Sequence, residues 1–164
     1  MILPPYAFVP GGPWPHPTRS PDGHSFGGRR GDAGVAPLLE GIALFNAGYY
    51  WEAHEAWESH WHALGRRGAE ADLVKGLIKL AAAGVKVRER QPHGVVTHAT
   101  RAAALFERVR NERGPRCEGL DIEALRAHAM AIAEAPLTDP APAGARVSIV
   151  FPVRIEIREP APDP

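Results

Sequence analysis

The stretch WEAHEAWESHW (51–61) sets three tryptophans, two histidines and three glutamates within three helical turns. At ~100° per residue this spacing predicts two adjacent stripes on one helix. Tyr50, His54, Trp57, Trp61 and Leu64 form the first, and Trp51, Glu55, Glu58 and His62 the second. Glu52, Ala56, Ser59, His60 and Ala63 are left on the opposite side, which is expected to face solvent. His54 is therefore expected inside the aromatic stripe, with Glu58 four residues on, close enough for the two side chains to meet.

Working outward, the chain divides by composition. Glycine and proline number 17 each. They crowd residues 1–35, a Pro/Gly-rich arm, and proline returns in a tail over 136–164. Residues 36–135 carry helical periodicity. Pro37 is placed to open a first helix, closed by Asn46-Ala47-Gly48. The second contains the opening stretch and runs to about Leu64. A third covers about Glu70 to Arg88, with acids in its first turn and bases in its last. A fourth starts near Pro92 and stops at Gly114-Pro115. Asp121 caps a fifth, which Pro136 ends. In the tail, Val147, Ile149, Phe151, Val153, Ile155 and Ile157 alternate as in an edge strand, with either the arm or another subunit as partner. The expected fold is all-α: a compact bundle of about five helices with an extended arm and a short C-terminal β segment.

The balance of 19 basic and 19 acidic residues argues against a nucleic-acid or anionic-membrane surface. Cys117 is the only cysteine, which excludes an internal disulfide and a Cys-rich zinc site. The start, MILPPYAFVPGG, lacks a basic segment followed by an apolar run, and no stretch has membrane-spanning length. A cytoplasmic protein is expected.

Motifs of chemistry are sparse. HEAWE shares only its first two residues with the H-E-x-x-H zinc signature, because Glu58 stands where the second histidine belongs. His54 with Glu58 would need a third protein ligand from elsewhere to hold an ion. Glu-x-x-His is absent, since Trp51 stands three residues before His54. No metal and no cofactor is therefore assigned. Phosphate-binding glycine loops and the Gly-x-Ser-x-Gly elbow are missing. GYYWEA (48–53) fits part of a tetratricopeptide unit but does not recur at ~34 residues.

Structural and functional readings of the remaining polar residues stand side by side. Glu58 either orients His54 within a core or shares a wet pocket with it. Lys75 and Lys79 either form a solvated stripe on the third helix or turn toward Glu55 and Glu58. His98 is either a satisfied core histidine or the group that approaches His54 from another helix. His16 and His24 either close the arm over the helices or stay exposed, and His60 and His128 are expected to face solvent.

FNAGYYWEAHEAWESHW (45–61), DLVKGLIKLAAAGVKVR (72–88) and GLDIEAL (119–125) together resemble a prokaryotic family, the domain of unknown function number 309, over about residues 36–135. The resemblance implies a compact helical domain, with His54, Glu55 and Glu58 as the motif's polar residues and Trp51, Trp57 and Trp61 around them. It supplies no activity. The expected function is a non-catalytic domain binding a small polar ligand or a protein partner at His54, Glu55, Glu58, Trp51, Trp57, Trp61, Lys75, Lys79 and His98. The alternative is a hydrolase, metal-dependent or using His54 as base with Glu58 orienting it. A third possibility is homo-oligomer assembly through 147–157.

Overall fold

The computed structural model describes residues 1–28 and 36–158. The last residues of the expected arm and tail, 29–35 and 159–164, fall outside them. The elements are α1 (Pro37–Asn46), α2 (Tyr50–Ala63), α3 (Ala69–Arg88), α4 (Pro92–Arg113), β1 (Arg116–Cys117), β2 (Leu120–Asp121) and α5 (Ile122–Glu134). β1 and β2 pair antiparallel, with Arg116 opposite Asp121 and Cys117 opposite Leu120.

Local chemistry sets these boundaries. Proline opens α1 and α4, where its missing N–H costs nothing. Asp121 Oδ1 accepts from Ala124 N at 3.0 Å and caps α5. Glu70 and Asp72 at the start of α3, and Lys86 and Arg88 at its end, complement the helix dipole.

The core is centred on α3, which packs against both α2 and α4; α1 lies on α2 and α5 on α4. Leu73, Leu77, Leu80 and Val87 of α3 are fully buried. Two glycines let neighbours approach. A Cβ at Gly84 would sit 2.5 Å from the Tyr50 ring, and one at Gly76 2.5 Å from Phe106. Among the described residues, no helix is long and apolar enough to cross a membrane.

Three expectations are corrected. First, 147–157 joins no β ladder among the described residues; the β element lies earlier, at β1 and β2. The tail runs extended over the helices, whose side chains take the place of a neighbouring strand. Tyr50 Oη accepts from Val150 N (2.9 Å) and Phe151 N (3.3 Å). Asn46 donates to Ile155 O and accepts from Ile155 N, both at 2.8 Å. The alternation breaks accordingly: Val150, Phe151 and Ile155 are buried, while Ile149 and Val153 are exposed. The arm touches this segment's start through Ala7 N to Arg146 O, 2.8 Å.

Second, α2 is rotated from the expected orientation. Its buried residues are Tyr50, Glu52, Ala53, Ala56 and Trp57. Ala53 and Ala56 present the flattest face, so neighbouring helices close onto them rather than onto the bulkier stripe. Third, His128 is buried, edge-on to Phe151 at 5.5 Å, because the tail covers it.

The arm covers the side of α2 expected to face solvent. Phe8 N donates to both carboxylate oxygens of Glu52 at 3.2 Å, and His24 Nε2 lies 3.5 Å from Glu52 Oε2. Tyr6 stacks on Trp14, and Phe8 and His16 meet the edge of Trp51. A buried carboxylate needs such donors to offset its lost hydration.

Candidate functional site

The rotation of α2 brings His54, Glu55 and Glu58 to the half-exposed border of the helix. Their side chains keep 30, 36 and 43 % of their accessible surface. His54 Nδ1 stands 3.5 Å from Glu55 Oε1 and 3.9 Å from Glu58 Oε2. These separations are within ion-pair reach and longer than well-formed hydrogen bonds. One donor atom from each residue falls within 4.8 Å of the others. Glu58 is one turn from His54 and three residues from Glu55, so a single helix projects all three together.

The expected neighbours divide. Trp57 is a correction: it is fully buried, its indole N–H donating to Leu38 O at 3.2 Å, and it cannot wall a water-facing site. Trp51 and Trp61 remain half-buried on α2. Trp51 lies partly under Phe8 and His16 of the arm. Trp61 carries Lys75 Nζ 5.4 Å from its ring centre, and Arg66 reaches it from the following turn. Lys75 is thus held as a cation over an aromatic face.

Lys79 and His98 approach from α3 and α4. Burial, with Arg101 and Lys75, lowers the Lys79 pKa, and the charge of Glu58 works in the opposite direction. Burial lowers the His98 pKa below its ordinary 6.5, and Lys79, Lys86, Arg101 and His54 add to the effect. His98 Nδ1 is buried without a hydrogen-bond partner. Lys79 of α3 thus interacts electrostatically with Glu58 of α2 on one side and with Arg101 of α4 on the other.

Sequence reasoning passed over Arg101 and Glu52. Arg101 lies three residues after His98, on the same side of α4, and is legible once His98 is singled out. Glu52 carried no signal, because its burial comes from an arm distant in the chain, with Phe8 44 residues away. Another unforeseen network joins α3 to the tail. Arg88 Nε donates to Asp139 Oδ2 at 2.8 Å, with side chains 4 and 3 % exposed. Ser148 Oγ donates to Asp139 Oδ1 at 2.7 Å. A groove of about 520 Å³ runs between the tail and Phe45, Tyr50 and Leu137.

The fold is a helical bundle whose α2 carries a His/Glu cluster beside aromatic side chains. Residues 38–98 match the family model described as Domain of unknown function (DUF309). The matched segment runs from α1 into α4 and includes the nine residues singled out from sequence. No curated protein matches the chain.

Proposed function

We propose that the domain is a non-catalytic binding module whose His54, Glu55 and Glu58 take the positive end of a small polar ligand. The observation that carries this reading is the convergence of two carboxylates on one imidazole nitrogen at a water-facing border. Lys79, close enough to Glu58 for the two charges to interact, suits a negative group on the same ligand. Trp51 and Trp61 supply apolar edges, and Lys75, held on Trp61, frames the site.

The test uses the full chain with chelator present. Amide shifts are followed by NMR during titration with a panel of amino acids and polyamines. A member that shifts the His54, Glu55 and Glu58 amides saturably, with the response lost in Glu58→Gln, supports the proposal. Silence at these amides across the panel at millimolar concentration overturns it.

A hydrolase is the second reading, favoured by one observation: His98 carries a lowered pKa and an unpartnered ring nitrogen close enough to His54 to feel its charge. A neutral imidazole is the group that general-base chemistry needs. That reading requires turnover of an ester, amide or phosphate substrate that falls when His54 or His98 is replaced.

A further inference from the structure

We propose that Arg88 and Arg90, at the end of α3, hold a small carboxylate in the cavity between the arm and the tail. The cavity has a volume of about 210 Å³ and shares no lining residue with the His54 cluster.

One wall of it carries an unfinished set of hydrogen bonds. The Arg88 side chain is 4 % exposed and lines the cavity together with two of its partners, Asp139 and Ala145. Nε donates to Asp139 Oδ2 and Nη2 to Ala145 O, both at 2.8 Å. Nη1 is buried and meets no acceptor among the described residues. A buried donor left over costs free energy unless something supplies an acceptor. Nη1 brings two N–H groups, and a guanidinium binds a carboxylate oxygen more strongly than a neutral one.

Charge balance selects an anion. Asp139 is already matched by Arg88, and Ser148 Oγ and Ala141 N donate to its other oxygen. Glu89, on the same wall, is paired with Lys86 Nζ at 2.7 Å. Arg90 is the remainder. It donates to the carbonyl oxygens of Asp139 and Ala141 and pairs with no carboxylate among the described residues. One positive charge is therefore unmatched at this wall, which suits a monoanion. The carbonyl end of a helix opposes an anion. Here Val85, Lys86 and Val87 O are engaged by the amides of Glu89, Gln91 and Arg90, which blunts that opposition.

The remaining walls set the body of the ligand. Pro10, Pro13 and Trp14 of the arm face the cavity, with Pro142 and Ala143 of the tail. These surfaces are apolar, and the volume falls below the ~300–1,000 Å³ of drug-sized sites. A carboxylate on a short hydrocarbon chain or a single ring has the matching chemistry.

The experiment is NMR titration of the isotope-labelled full chain with sodium benzoate and with sodium butyrate, against sodium chloride at matched ionic strength. The Arg88 Nε–H and Trp14 Nε1–H signals are followed. Saturable shifts of both by at least one carboxylate at millimolar concentration are expected. Arg90→Gln weakens binding by about threefold or more, as for loss of an exposed charge. Arg88→Lys keeps a cation for Asp139 but removes Nη1, and it abolishes binding. Circular dichroism verifies that each variant is folded, and Arg90→Gln decides if Arg88→Lys is not. Shifts of these two signals no larger than those in chloride mean that water alone completes Arg88, and overturn the proposal. Binding indifferent to Arg90→Gln overturns it too, as does saturation by inorganic phosphate where both carboxylates fail.

Discussion

His54 has its ring nearly one-third in water, so the fold does not depend on it. His54→Ala is expected to change stability by no more than about 0.5 kcal/mol in urea unfolding, as for ordinary surface positions. A loss of 1–3 kcal/mol would instead mark a core residue whose partners were left unsatisfied. Tyr50→Phe is expected to behave differently. Its hydroxyl serves two buried tail amides, and deleting it orphans both, at a cost of about 1–3 kcal/mol in the same measurement. Burial lowers the pKa of His128, and burial with neighbouring cations lowers that of His98. The unfolded chain therefore binds more protons than the native one between the ordinary value of 6.5 and the lowered values. Stability from these two groups is complete above pH 6.5 and is lost as pH falls through their native values. Thermal melts of His128→Leu should show a flatter decline below that pH. An unchanged slope would remove His128 as a contributor.

Among the elements, α3 was the most legible. Leu73, Leu77, Leu80 and Val87 follow the helical period, and all four are buried. Its glycines explain why its partners come so close. Gly84→Ala gains about 1 kcal/mol of helix propensity. It also drives a methyl into the Tyr50 ring, and overpacking of that kind costs about 1–3 kcal/mol. A lowered melting temperature is expected, and a raised one would mean that α2 can move aside. The tail was read less well. Period two in 147–157 identified an extended segment but could not say what would satisfy its backbone, and side chains of α1 and α2 do so instead of a strand. The same tail supplies Asp139 to Arg88. Removing one member of a buried ion pair leaves the other uncompensated, so Asp139→Ala should cost about 3–5 kcal/mol in urea unfolding. A loss under 1 kcal/mol would show that water reaches Arg88.

Across the whole molecule, arm and tail hold each other over the helices. Ala7 donates to Arg146, Trp14 Nε1 donates to Gly144 O, and the Arg146 guanidinium lies 5.0 Å from the Trp14 ring centre. Deleting residues 1–28 removes the donors to Glu52 and uncovers Trp51. A lower urea midpoint and a smaller m-value are expected, since less surface is buried. An unchanged midpoint would mean that the arm is not docked in solution.

By itself the sequence determined the helices and the trio His54, Glu55 and Glu58, because both depend on spacing within a single turn or a few turns. Only the tertiary structure decided which arc of α2 faces inward, that Trp57 leaves the site and that Glu52 is buried. Those outcomes depend on segments distant in the chain competing for the same surface, and the contact that wins is set by shape: the two alanines of α2 admit a neighbour more closely than its tryptophans and histidines do.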